Sequence, residues 1–179
     1  LTEPITESEA RAHLRADTDD PYISELPGKI TAARQHVEQL LNASIVTQTR
    51  TLILDKFPPW SIKLPDGPVT GITSISYVDT DGVTQTVDSH TRSKDVITPA
   101  YDEVWPDTRA QIGAVTITYT AGMMTGSPST LANADIIAAI KLVLTDLWDN
   151  RAAQIVGVSF SVNPAVDRLL SKHVRDMGI

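Results

Sequence analysis

Apolar residues recur at every third or fourth position near both ends of the chain and at every second position through its middle. The first spacing describes one face of a helix, the second the two faces of a strand. Thr6-Glu7-Ser8-Glu9 opens the first helix, because Thr6 and Glu9 have the spacing of a capping box, and Ile5, Ala10 and Leu14 follow on one face. Asp17-Thr18-Asp19-Asp20-Pro21 should end it. A second helix is expected from about Pro21 to Ala43, on Ile23, Leu26, Ile30, Ala33, Val37, Leu40 and Leu41. Pro27-Gly28 interrupts that stripe and predicts a kink or a late start at Gly28.

From Ser44 to Thr120 the period shortens. Strands are expected over 46–54, 62–64, 72–78 and 83–87, with a weaker one around 95–98 and a regular one over 115–119. Asp79-Thr80-Asp81-Gly82 predicts a tight antiparallel hairpin, since Asp-Gly supplies the positive φ such turns need. Residues 88–112 read largely as a long loop carrying Trp105-Pro106. A glycine- and serine-rich hinge, 122–129, precedes the strongest helical stripe: Ile136, Ile137, Ile140, Val143, Leu144, Leu147 and Trp148. A last helix is expected over 164–176, capped by Asn163 with Pro164 in its first turn and with Val166, Leu169, Leu170, His173 and Val174 inward.

Helices at both ends cannot bury their stripes alone, so the two pairs should meet. The expected fold is α+β: a small four-helix bundle, two helices from each end of the chain, with an inserted antiparallel β-subdomain. The corresponding divisions are 1–45, 46–122 and 123–179, packed as one compact unit.

Composition then narrows the function. The chain has 179 residues, 41% hydrophobic and 21% charged, enough to bury a core without disulfides or a metal. Cysteine is absent, which removes thiolate catalysis, thiolate metal sites and disulfides, and fits assembly in a reducing cytoplasm. The net charge of −7 comes without a basic stripe of the kind that grips nucleic acid. The apolar run 136–143 is broken by Lys141 and is too short for a bilayer, so no membrane partner is expected. The opening residues, 1–10, are polar and acidic, unlike a secretory leader.

The search for chemistry returns no site. His13, His36, His90 and His173 form no H-E-x-x-H pair. Asp17-x-Asp19-Asp20 fails as a calcium loop, having Tyr22 and Gly28 where glycine and glutamate are required. Gly157-Val158-Ser159-Phe160-Ser161 lacks the closing glycine of a nucleophile elbow, and no phosphate-binding glycine motif occurs. Neither catalytic residues nor a cofactor are expected. Trp148 belongs to an apolar helix stripe. Trp60 and Trp105 sit in loops, either packed against the sheet or exposed at a subunit interface, where aromatics are enriched.

Taken in order, several short stretches resemble the head–tail connector (head-completion adaptor) proteins of long-tailed phages and prophages. They are Leu1-Thr2-Glu3-Pro4-Ile5-Thr6, Glu9-Ala10 with His13-Leu14-Arg15, Ala32-Ala33-Arg34 with Val37-Glu38, and Thr47-Gln48-Thr49. Leu54-Asp55-x-Phe57-Pro58, Leu64-Pro65, Ile75-x-Tyr77-x-Asp79-x-Asp81-Gly82, Trp105-Pro106, Thr118-Tyr119-Thr120-Ala121-Gly122 and Leu147-Trp148-Asp149-Asn150-Arg151 complete the set. The likeness spans nearly the whole chain and departs at Pro27-Gly28 and in the 88–112 loop. It implies a ring of roughly twelve copies beneath the portal protein, closed by head-to-tail contacts, in the virion neck. Such a ring continues the DNA channel without sequence-specific binding and offers a platform to a tail-completion or neck protein. It points to Arg168, Lys172, His173 and Arg175 as a portal or subunit interface, against the alternative of a solvated face on a terminal helix. A tail-terminator or other phage interaction module is the competing function, and a small hydrolase or ligand-binding domain the third.

Overall fold

The computed structural model describes residues 2–124, 133–150 and 163–175. Among them the chain forms two compact units: one from the described residues up to Val46 and from Met124 onward, the other Thr47–Met123. The α+β architecture and its helical bundle are as the periodicity implies.

In the first unit, α1 spans Glu7–Leu14 and carries the full capping box. Thr6 Oγ1 accepts from the Glu9 backbone N–H at 3.2 Å, while Glu9 Oε2 accepts from the Thr6 N–H at 2.8 Å. The Thr6 N–H and then the Thr6 hydroxyl, both donating to the Glu9 carboxylate, hold it below its usual pKa. The helix closes at Arg15 in the left-handed region, before the acidic turn. A single 3₁₀ turn, Ile23–Glu25, then precedes α2, Leu26–Leu41. Of the two expected outcomes, a kink or a late start, the late start is found, two residues before Gly28. Pro27 falls in the first turn of α2, where a missing N–H costs nothing because it has no intrahelical acceptor. Asn42, at φ 50°, ends α2 in the left-handed conformation that Asn tolerates best after glycine.

The third helix, α3, spans Ala134–Asp149, and α4 spans Pro164–Leu170. Ile136, Ile140 and Leu144 are fully buried, each contributing about 1.5–3 kcal/mol of transfer free energy. They pack α3 against α1, α2 and α4, so both ends of the chain share one core. Lys29 Nζ donates to the Leu147 carbonyl at 3.0 Å, placing a cation at the C-terminal end of the α3 dipole. Asn163 caps α4 through the Ala165 N–H at 3.1 Å. This helix is shorter than its sequence stripe: after Leu170 the chain turns, and Val174, expected to face inward, is 49% exposed. The Arg175 N–H then donates to the Leu41 carbonyl at 3.0 Å, fastening the segment to the end of α2. Most of the expected hinge, the Gly157–Ser161 stretch and Asp176 lie outside the described residues.

The second unit holds seven strands: β1 Gln48–Leu54, β2 Ile62–Lys63, β3 Val69–Val78, β4 Thr84–Thr86, β5 His90–Ser93, β6 Val96–Pro99 and β7 Val115–Ala121. They form a four-stranded sheet in the order β1-β7-β3-β4 and a three-stranded sheet in the order β2-β6-β5, antiparallel throughout. Strand β7 alternates buried and half-buried residues along its length and lies between β1 and β3. Its inward residues Val115, Ile117, Tyr119 and Ala121 join Phe57, Leu64, Ile75, Ile97 and Trp105 in the core. The hairpin at 79–82 forms as the sequence predicts: Gly82 takes φ +86° and its N–H donates to the Asp79 carbonyl at 3.0 Å. Asp79 Oδ1 accepts from the Val83 and Asp81 N–H groups. A bond from Gln85 and these backbone donors hold the Asp79 carboxyl below its ordinary range. Strand β5, absent from the sequence reading, occupies part of the expected loop.

Two close approaches secure this unit. Gly122 passes so near Thr47 that an added Cβ would sit 2.5 Å from the Thr47 Cα. Tyr119 is 1% exposed and its hydroxyl donates to the Pro65 carbonyl at 2.9 Å. Burial, with help from the Asp66 carboxylate, pushes its pKa up to about 12.

Candidate interface surfaces

With no catalytic constellation predicted, the functional question becomes which surfaces are available and what holds them. The four histidines do not converge. His13 contacts the Thr145 hydroxyl at 3.1 Å, His36 is exposed on α2, His90 lies on β5, and His173 follows α4. No three His, Asp or Glu side chains gather as a metal site among the described residues, and no described helix is long and apolar enough to cross a membrane. The acidic Asp17–Asp20 stretch is a turn in which Asp20 Oδ1 accepts from the Tyr22 N–H.

The C-terminal group divides. Arg168 and Lys172 are exposed, four residues apart on α4 and the turn after it. His173 is half-buried, with Nε2 3.5 Å from Asp135 Oδ2 on α3. Arg175 is half-buried, its backbone held by Leu41 and, through its carbonyl, by the Asn42 amide at 3.4 Å. The exposed basic pair therefore stands on a segment whose course is fixed by α2 and α3.

The two tryptophans separate as well. Trp105 is buried, its ring stacked on Phe57 at 4.9 Å with 4° between planes, and its indole N–H donates to the Trp60 carbonyl at 2.9 Å. Its ring is core, and it offers no interface surface. Trp60 is 70% exposed, although its own carbonyl anchors Trp105. Tyr101, Val104 and Ile112, from the loop before β7, are still more exposed, and Ile53 projects from β1. Most of the large exposed apolar side chains among the described residues thus belong to the β unit. Five of them fall in two stretches of chain, 53–60 and 101–112, which the Trp105 to Trp60 hydrogen bond links.

Within the helical unit lies a polar network that the sequence reading missed. Arg34 and Glu38, on the inner side of α2, are only 4% and 8% exposed. Arg34 Nη1 donates to Glu38 Oε2 at 2.6 Å, and Arg34 Nε donates to Glu3 Oε2 at 2.8 Å. Glu38 Oε1 accepts from the N–H groups of Ile45 and Val46 at 2.7 and 3.2 Å. Thr31 Oγ1 donates to the other Glu3 oxygen at 2.9 Å. The network joins the N-terminal segment, α2 and the chain leaving α2. Its signal was present in the sequence: Ile30, Arg34, Glu38 and Leu41 keep the three-and-four spacing of the apolar stripe, so the charged pair had to face the core.

No protein-family profile matches the chain, and no curated protein matches it. Solved structures do. One is a chain from the neck of an empty gene transfer agent particle computed with C6 symmetry: TM-score 0.75 and 21% identity, covering 98% of this chain and 92% of that one. A chain from the virion of a native gene transfer agent particle gives TM-score 0.72 and 21% identity over the same shares. A chain from the neck of a native particle computed with C12 symmetry gives TM-score 0.64 and 20% identity, covering 94% and 91%. At these identities the likeness is one of fold.

Proposed function

We propose that this chain is a structural head–tail connector subunit, forming a ring in the neck of a phage or phage-like particle and assembled in the bacterial cytoplasm. The observation that carries the reading is the likeness of fold over 98% of this chain and 92% of a neck chain, helical unit and β unit together. A fold shared with an unrelated enzyme would be less informative, because fold alone does not fix function. Here it coincides with a sequence resemblance to connectors that rests on short motifs along the whole chain, and with a motif search that gave catalysis no residues to stand on. A non-enzymatic, structural role follows from the same convergence.

In this role the ring holds roughly twelve copies, docks on the portal protein and presents its other side to a tail-completion protein. The exposed Arg168 and Lys172, beside the half-buried His173 and Arg175, are the basic group offered to the portal. Trp60 is the aromatic offered at a subunit or partner contact. The net charge of −7 suits a channel through which DNA slides, since acidic walls repel phosphates. Electron microscopy and native mass spectrometry of the protein with its portal test this reading. Rings of uniform copy number seated on the portal are expected. A persistent monomer in the presence of the portal would contradict it.

A further inference from the structure

Among the described residues the four-stranded sheet ends in β1 on one side and β4 on the other, and the two edges are unlike. Strand β1 runs for seven residues in uninterrupted register with β7, with no bulge, no proline and one charge, Arg50. Its residues Thr49, Thr51 and Ile53 are exposed. Ile112, 91% exposed, precedes Gly113, where an added Cβ would meet Ile53 Cγ2 at 3.3 Å. At the opposite side β4, Thr-Gln-Thr, is uncharged and exposed at every position. Sheet edges in soluble proteins are normally blunted by charge, proline or bulges, because an open row of N–H and C=O groups recruits another strand. Among the described residues, neither edge carries such protection beyond the shortness of β4 and the one arginine.

We infer that β1 of one copy pairs with β4 of the next, so that the sheet continues from subunit to subunit around the ring. The inference rests on the connector reading above. A head-to-tail contact requires two different surfaces on one chain, and the sheet supplies both. Polarity agrees: β1 opposes β7, β7 opposes β3 and β3 opposes β4, so β1 and β4 run antiparallel. Rotation between neighbours in a twelvefold ring turns strand directions by at most about 30°, close to the twist of roughly 20–25° between ordinary neighbouring strands. The area also fits a second copy held by ring closure. The three residues of β4 limit the shared ladder to roughly 10 Å at ~3.4 Å rise. With a sheet about 10 Å deep, each side buries only ~100 Å², far under the ~800 Å² per partner of a stable pair. A lone dimer is accordingly weak, whereas each copy in a closed ring makes two such contacts. A foreign strand would need only one of the edges and would leave their complementarity without use.

The chain lacks cysteine, so crosslinking is clean. The variant Thr51→Cys/Thr86→Cys, assembled on portal and treated with a short bismaleimide, should give a ladder of multiples, with crosslinked dimer at least tenfold above either single variant. Ile53→Cys/Thr84→Cys repeats the test on the same face should the first pair fold poorly. Rings visible by microscopy without a ladder from either pair would overturn the edge inference and leave the connector reading standing. Dimers from Thr51→Cys alone would also overturn it, since they mean that β1 pairs with itself. Unmodified protein that forms no ring on portal would remove both.

Discussion

Replacing Glu38 by alanine should be among the most damaging single changes on α2. Its carboxylate is 8% exposed, accepts two backbone N–H groups at 2.7 and 3.2 Å, and pairs with a guanidinium that is itself 4% exposed. Breaking a buried pair from one side costs about 3–5 kcal/mol, because the remaining charge stays buried. Arg34 keeps Glu3 at 2.8 Å, which moves the estimate to the low end. The orphaned Ile45 and Val46 donors act in the other direction, at about 1–3 kcal/mol for a buried unsatisfied group. The net expectation is a loss of about 3–4 kcal/mol, or roughly 6–16 °C in Tm at about 2–4 °C per kcal/mol. Glu38→Gln retains a neutral acceptor for the two amides and should lose about half as much. Urea unfolding followed by circular dichroism measures both. If Glu38→Ala stays within about 1 kcal/mol of the parent, the network is not holding the chain that leaves α2.

Trp105→Ala should cost about 3–5 kcal/mol in the same assay, while Trp60→Ala, which removes an exposed ring, should stay within about 0.5 kcal/mol and act on assembly instead. Gly122→Ala places a Cβ 2.5 Å from the Thr47 Cα and should destabilise by about 1–3 kcal/mol, readable as a lower urea midpoint. Tyr119 gives a pH dependence. With its folded pKa raised to about 12 from 10.0, its contribution is complete below pH 10 and is lost as pH rises through 12. Tyr119→Phe should remove that alkaline component and, by losing the bond to Pro65, cost about 1 kcal/mol at neutral pH.

Local chemistry made much of the fold legible. The Thr6–Glu9 box, Asn163 before Pro164, the Asp79–Gly82 hairpin and the alternation of β7 are each decided by neighbours within a few residues. What escaped depends on distant partners. Strand β5, His-Thr-Arg-Ser, has no apolar alternation and exists because β6 pairs with it and Arg92 donates to the Val69 and Lys94 carbonyls. Strand β3 begins at Val69, earlier than expected, passing Gly71 and an irregularity before Ser74, because β7 extends the ladder past them. Pro27 is a defect only if the helix starts at Pro21; with the late start at Leu26 it is an ordinary first-turn residue. Of the candidate surfaces, the family resemblance pointed to Arg168, Lys172, His173 and Arg175 and residue type to the tryptophans, but only packing separated Trp60 from Trp105. The buried Arg34–Glu38 pair was hidden by its resemblance to a common solvent-exposed i,i+4 pair.

The most direct test of the central claim is electron micrographs of particles made after deletion of this gene from its phage or prophage. The connector account predicts DNA-filled heads and separate tails, with joining restored when the gene is supplied in trans. Fully tailed particles from the deletion would contradict it, and tails of altered length would assign the chain to tail termination instead.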